Sequence, residues 1–377
     1  MKSDIFNITT ESEFQTACLE TFRYQYENVE VYRKFVDYLN INPNEINEVE
    51  KIPFLPIEMF KNHLVLDKGF EAADFFQSSG TTQIQTRSKH YIADFKLYEE
   101  SIYRSFEQFI GKPEDYIFLG LLPNYSENPH SSLIYMVDFL MKKSAKPENG
   151  YFLYNHSELF DLLERFENLS VTESKKVILF GVSFALLDFL DYCNSERSEE
   201  TQSPTLQLSN TLTVIETGGM KGRKEEMTKD ELLKILQKGF GTDRIFSEYS
   251  MTELLSQAYS LGENIYQTPN WMRVLIRNTE DPFSYVENGR NGAVNIVDLA
   301  NRHSCSFIAT QDLGKIVNDV EAPRYARNDK GKLSFGNESV NMLREPQHDK
   351  SLIQKSRFQV LGRIDHSDIR GCSLLVS

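Results

Sequence analysis

Five segments of this sequence bring together residue types suited to phosphate and acyl chemistry. QSSGTTQ (Gln77 to Gln83) sets four hydroxyls, on Ser78, Ser79, Thr81 and Thr82, around Gly80. Such a loop can wrap phosphate oxygens with hydroxyls and backbone N–H groups, and glycine lets the backbone approach closely. It is not a Walker loop, since GxxxxGKS/T is absent. Taken alone, it also has the composition of an ordinary Ser/Thr-rich turn. ETGGMKGR (Glu216 to Arg223), SEYSMTE (Ser247 to Glu253), TQDLG (Thr310 to Gly314) and LGRIDHSDIRGC (Leu361 to Cys372) follow in that order. Singly, Thr252 and Glu253 read equally as a solvated helix start, and Asp312 as a turn residue before Gly314. Cys372 follows Arg363, His366 and Arg370. A thiol is nucleophilic as its thiolate, which nearby cations favour; at a chain end it can also be inert.

These segments need a scaffold, and hydrophobic spacing supplies one. Thr10 and Glu13 have capping-box spacing, and Phe14, Cys18, Phe22 and Tyr26 then recur every four residues, predicting a helix with Cys18 in its apolar face. Leu97 to Phe109 has a helical pattern. Tyr116 to Leu122, Val177 to Phe180, Leu212 to Ile215 and Arg244 to Phe246 read as short buried strands, separated by helical runs such as FALLDFLDY and ELLKILQKGF, the latter opened by Thr228 and Glu231. Such alternation predicts an α/β domain with a largely parallel sheet. Ligands bind at the carboxyl ends of such strands, where the Gly, Ser and Thr residues lie. From Gly292, GAVNIVDL and SFIATQDLG predict a strand-rich subdomain. The expected division is 1–290 as the α/β core and 291–377 as the strand-rich part. Polar stretches at 195–210 and 319–356 interrupt the rhythm and read as insertions.

Composition narrows the classes. Of 377 residues, 40% are hydrophobic and 25% charged, which excludes collagen, a coiled coil and wholesale disorder. The net charge of −14 disfavours unassisted binding to nucleic acid or to an anionic membrane, and neither nucleic acid nor stable membrane insertion is expected. No apolar run reaches membrane-spanning length, and the start, MKSDIFNITTESEF, lacks a signal-peptide apolar region. Cys18, Cys193, Cys305 and Cys372 form no CxxC pair, and the seven histidines form no HExxH pair. The expectation is a reduced, cytoplasmic protein without a zinc site. Cys305 reads as a packing residue, and His130 as a helix start.

Together and in order, the five segments resemble the core motifs of the adenylate-forming enzymes, which activate carboxylic acids with ATP. The closer resemblance is to the LuxE family of acyl-protein synthetases (long-chain-fatty-acid–protein ligases). It takes in PNWMRVLIR (Pro269 to Arg277), the run GAVNIVDLANRHSCSFIATQDLG and the terminal RGCSL. The resemblance implies an adenylate-forming N-terminal-type domain, with parallel sheets flanked by helices and no C-terminal lid domain. It implies ATP and Mg²⁺ as cofactors. Ser78, Ser79, Gly80, Thr81 and Thr82 would hold the phosphates, with Thr82 near the metal. Gly218 and Gly219 would lie against adenine, and Tyr249 would stack on it. Thr252 would bond a phosphate oxygen of the adenylate, and Glu253 would coordinate Mg²⁺. Asp312 would bind the ribose, with Arg363 supporting ribose or phosphate.

By the same resemblance, Cys372 would take the acyl group, drawn from a fatty or other carboxylic acid, as a thioester and pass it to a LuxC-type reductase. The chain departs from the wider pattern at Gln83 and Ser250, both usually glycine, and in the long stretch between TQDLG and LGRID. Two alternatives stand beside this reading. One is a ligase of the phenylacetate-CoA ligase type that acylates coenzyme A or another protein's thiol. The other is a non-catalytic nucleotide-binding relative.

Overall fold

The first helix starts where the Thr10 and Glu13 spacing puts it. In α1 (Glu11–Asn28) the Thr10 hydroxyl accepts from the Glu13 N–H, and the Glu13 carboxylate accepts from the Thr10 N–H. That capping box satisfies N–H groups the helix itself cannot. Phe14, Cys18 and Phe22 are fully buried along one face. The computed structural model describes residues 4–79, 87–124, 126–168, 175–196, 211–218, 227–318, 353 and 355–364. Most of the two stretches expected as insertions lies outside them.

After α1 come α2 (Glu30–Tyr38), β1 (Leu55–Pro56) and α3 (Met59–Asn62). A separate antiparallel hairpin follows, β2 (Asp74–Gln77) with β3 (Lys89–Ile92). Then α4 (Phe95–Phe109), β4 (Tyr116–Leu121), α5 (Ser132–Ser144), β5 (Gly150–Tyr151), α6 (His156–Glu167), β6 (Lys176–Val182), α7 (Ser183–Glu196), β7 (Leu212–Thr217), α8 (Lys229–Phe240) and β8 (Ile245–Tyr249) alternate as predicted. β5, β4, β6, β7 and β8 lie side by side and parallel. Every residue of β4, β7 and β8 is buried. That accounts for the unbroken apolar run of β4: strands covered on both faces have no solvated side to alternate towards.

The sheet then turns antiparallel. It continues through β9 (Ala258–Ser260), β10 (Tyr266–Gln267), β11 (Met272–Arg277), β12 (Gly292–Asp298), β13 (Phe307–Ile316) and β14 (Arg357–Arg363). The order is β11-β12-β13-β14-β10-β9-β8-β7-β6-β4-β5, with β1 beside β13. The α/β architecture with a strand-rich C-terminal part is thus present, and the two parts share one sheet. The position 290/291 falls in the connection between β11 and β12, which are antiparallel neighbours.

Two arginines of PNWMRVLIR hold this region. Arg277 is buried and donates to the carbonyls of Val294 (3.0 Å) and Thr310 (2.8 Å) and to Asn295 Oδ1 (2.9 Å), joining β11, β12 and β13. Arg273 grips Glu11 with two bonds of 2.6 and 2.8 Å, tying α1 to β11. Among the described residues no helix is long and apolar enough to cross a membrane.

Candidate active site

Three of the motif residues meet at the seam between the parallel and antiparallel strands. Tyr249 ends β8, Asp312 lies in β13 and Arg363 ends β14. The Tyr249 hydroxyl donates to Asp312 Oδ2 at 2.8 Å. Arg363 sits directly opposite Asp312 in the ladder, its Nε 3.6 Å from Oδ1. Local chemistry aims Asp312. The Thr310 hydroxyl accepts from the Asp312 N–H (3.1 Å) and donates to the Val294 carbonyl (2.8 Å). Gly314 of TQDLG has a backbone role. A Cβ there would stand 2.7 Å from the Gln359 carbonyl oxygen, at the irregularity where β13 and β14 shift register. Burial pushes the Asp312 carboxyl up, while Tyr249 and Arg363 pull it back. The Tyr249 ring packs on Tyr266 (5.8 Å) and Phe358 (5.5 Å) and is only 9% exposed, so little of its face is open to a base.

Thr252 and Glu253 follow β8 in a loop held from three sides. His90 Nδ1 donates to the Thr252 carbonyl at 3.0 Å, while its Nε2 lies 2.8 Å from the Ser304 hydroxyl. Burial lowers the His90 pKa to about 4, so the ring is neutral and one nitrogen serves as acceptor. The Asn301 amide donates to the Glu253 carbonyl at 2.7 Å. Asp298 accepts from the N–H groups of Leu255 and Ser256, both at 2.9 Å. The Glu253 side chain is 6% exposed. Burial raises its pKa; a bond from Ser88 and the charges of Arg363 and Lys61 oppose that.

Ser88 belongs to the hairpin that carries QSSGTTQ. The Ser78 N–H donates to the Ser88 carbonyl, and the Ser88 N–H to the Ser78 hydroxyl, both at 3.1 Å. Ser78 and Ser79 are therefore placed where the hairpin runs into its connecting loop. Gly80, Thr81 and Thr82 lie outside the described residues, as do Gly219, His366, Arg370 and Cys372. Gly218 follows β7 with φ 74°, a conformation that favours glycine.

Sequence reading passed over His90, Asp298 and Asn301. His90 stands in no motif, and it reveals itself through a neighbour 162 residues away. It also missed a buried polar group at the ends of β7 and β8. Lys229, at the start of α8, is paired with Glu216, which also accepts from Ser183. The Thr217 hydroxyl donates to Glu248 at 2.5 Å. Cys18, Cys193 and Cys305 are buried and in no disulfide, and Cys305 packs as expected.

The set provides hydroxyls where the β2–β3 hairpin enters its loop, one buried carboxylate beside them, and an oriented Asp–Arg pair across a seam. Among the described residues no three His, Cys, Asp or Glu side chains are grouped to hold a metal ion. A single carboxylate fits Mg²⁺, which keeps waters and takes phosphate oxygens as its other ligands.

The family model described as "Acyl-protein synthetase, LuxE" matches residues 3–328. No curated protein matches the chain. Among solved structures, 2-hydroxyisobutyryl-CoA ligase in an open conformation with 2-HIB-AMP and CoA is similar at 12% identity and a TM-score of 0.61. The match covers 94% of this chain and 70% of that one. The same ligase in its postadenylation state, in complex with R3-HIB-AMP, matches at 11% identity and TM-score 0.62, over 94% and 68% of the two chains. At such identities the likeness carries the fold alone. With the fold of an adenylate-forming ligase and a family match over most of its length, this chain belongs to the LuxE acyl-protein synthetase family of acid-activating ligases.

Proposed function

We propose that the protein uses ATP to convert a fatty or similar carboxylic acid to an acyl-adenylate, and then moves the acyl group to the thiol of Cys372. The observation that carries this reading is the convergence of Tyr249, Asp312 and Arg363, from three separate motifs, beside the loop of Glu253. Ser78, Ser79, Gly80, Thr81 and Thr82 hold the phosphates of ATP. Asp312 accepts from the ribose hydroxyls, oriented by the Tyr249 hydroxyl; the edge of the Tyr249 ring lies beside the base, with Gly218 and Gly219 along it. Arg363 stands at the ribose or phosphate. Thr252 donates to a phosphate oxygen of the adenylate.

Attack of the carboxylate on the α-phosphate builds negative charge, and donors already fixed in place stabilise it without reorganising. His90, Asn301 and Asp298 supply that fixity to the Thr252–Glu253 loop. Glu253 and Thr82 would hold Mg²⁺, which neutralises phosphate charge when bound. Once the adenylate forms, the thiolate of Cys372 attacks its carbonyl carbon, the thioester forms and AMP leaves. A LuxC-type reductase is the proposed receiver. Cys18, Cys193 and Cys305, buried and in no disulfide, fit a reducing, cytoplasmic setting.

The first test is ATP–pyrophosphate exchange with a panel of fatty acids and other carboxylates. Exchange with at least one acid is expected. A folded protein with Mg²⁺ that exchanges with none would defeat the reading. In the second test, Cys372→Ser keeps the exchange but loses acid-stable label from a labelled acid. Equal label on wild type and variant removes the thioester role of Cys372.

A further inference from the structure

The buried face of α1 is apolar at Phe14, Cys18 and Phe22, but its last turn puts Gln25 there, fully buried. A buried amide is costly unless both its ends are bonded. Gln25 Nε2 lies 3.0 Å from each of the carbonyl oxygens of Asn301 and Arg302 and 3.1 Å from the Ser306 hydroxyl. Gln25 Oε1 accepts from the Ser306 N–H at 3.0 Å. Donors and acceptor are thus engaged by the turn that joins β12 to β13, with Asn301 itself 276 residues away in the chain. The same turn holds the loop after β8. The Asn301 amide bonds the carbonyls of Glu253 (2.7 Å) and Cys305 (3.1 Å), and its Oδ1 accepts from the Leu255 N–H at 2.9 Å. The Ser304 hydroxyl, 2.8 Å from His90 Nε2, steadies the ring that bonds the Thr252 carbonyl. The bonds from Asn301 and His90 to the Thr252–Glu253 loop therefore lead back to one turn, and Gln25 fastens that turn to α1.

We propose that Gln25 is a positioning residue for the Thr252–Glu253 loop, acting through the turn that carries Asn301 and Ser304. An apolar side chain in its place strands the carbonyls of Asn301 and Arg302 and the Ser306 N–H in the core, so the turn must move to find other partners. That movement takes Asn301 with it, and with Asn301 the Glu253 carbonyl and the Leu255 N–H. A small misplacement of a catalytic group is enough to slow a reaction greatly. Tyr249, Asp312 and Arg363 are joined by bonds of their own on β8, β13 and β14, so the nucleotide contacts assigned to them do not pass through Gln25. What the relay governs is the aim of the Glu253 carboxylate, the group assigned to Mg²⁺. The role rests on the adenylation reading for its kinetic consequence only; the hold on the loop stands without it.

The test compares the full wild-type chain with Gln25→Met, which keeps an unbranched side chain but no amide. Cys18→Ala is the control: it loosens the packing of α1 earlier on the same face and removes none of these bonds. Hydrogen–deuterium exchange, without any ligand, is read at the amides of Leu255 and Ser256 relative to those of β6. In Gln25→Met that ratio should rise by about tenfold, and in Cys18→Ala it should stay at the wild-type value. In ATP–pyrophosphate exchange, Gln25→Met should lower kcat by about tenfold and raise the Mg²⁺ concentration needed for half-maximal rate, with KM for ATP within about twofold of wild type. The proposal is overturned by any of three results: folded Gln25→Met keeps the wild-type deuterium ratio, Cys18→Ala raises the ratio as much, or kcat falls no further in Gln25→Met than in Cys18→Ala. If Gln25→Met does not fold, Ser306→Ala removes one acceptor of the same amide and is read in the same way, with an expected rise of about threefold. A wild-type protein that exchanges pyrophosphate with no acid defeats the adenylation reading, and the deuterium comparison still decides whether Gln25 holds the loop.

Discussion

At the scale of single residues, position in the sheet sets chemical character more than residue type does. Glu248 and Glu253 stand five residues apart in the same SEYSMTE segment and both are buried, but only Glu253 was given a role there. Glu248 lies next to Tyr249 on the opposite face of β8, facing Tyr259 of β9 across the ladder and taking a bond from Thr217. Burial raises its pKa from an ordinary 4.5 to about 7. The folded protein therefore holds a proton here that the unfolded chain releases near pH 4.5. The stability this contributes is complete below that pH and is lost as pH rises through 7. Glu248→Gln mimics the protonated form and removes the dependence. Urea denaturation at pH 5 and pH 8 should show the variant gaining on wild type at the higher pH. Parallel profiles would mean that the carboxyl is already ionised in the fold at pH 5.

At the scale of elements, the most exacting join is between α8 and β7. Lys229 at the first turn of α8 pairs with Glu216 near the end of β7, and the Lys229 ammonium also reaches the Tyr266 hydroxyl. The pair closes the loop that begins at Gly218. Breaking a buried pair leaves one charge stranded, which costs more than the pair was worth. Lys229→Met should thus destabilise by about 3 kcal/mol or more, and adding Glu216→Gln should recover a large part of that loss. Additive losses in urea denaturation would show that the two side chains stand independently. Elements were far more legible in the sequence than such joins. Thr10 with Glu13 and Thr228 with Glu231 announced two helix starts, both realised as capping boxes. The apolar runs announced the parallel strands. Local patterns report which face of an element is buried, never which distant element covers it. Hence Tyr249, Asp312 and Arg363 were named from their motifs, while His90, Asn301 and Lys229 were not. Their signal is a partner brought close only by folding.

At the scale of the whole molecule, one late strand makes the sheet continuous. β14 is the last described strand in sequence yet lies between β13 and β10, so it joins β11, β12 and β13 to the rest of the sheet. At one end it brings Arg363 to Asp312. At the other, Phe358 is fully buried, stacked on Tyr266 at 5.5 Å and edge-on to Tyr249 at the same distance. The strand that closes the core is therefore also the strand that completes the proposed nucleotide site, and folding and binding should fail together. Phe358→Ala removes the shared ring. Its expected cost is about 3 to 5 kcal/mol, the range for emptying a buried aromatic position. Because Tyr249 then loses a wall while still bonded to Asp312, ATP binding should weaken by about tenfold in protein that remains folded. Leu361→Ala on the same strand, at a residue 46% exposed, provides the control and should change stability by no more than about 0.5 kcal/mol. Urea denaturation and titration of an ATP analogue measure the two effects. If Phe358→Ala lowers stability but leaves nucleotide affinity at the wild-type value, the seam supports the fold without shaping the site, and Tyr249 takes its orientation from Asp312 alone.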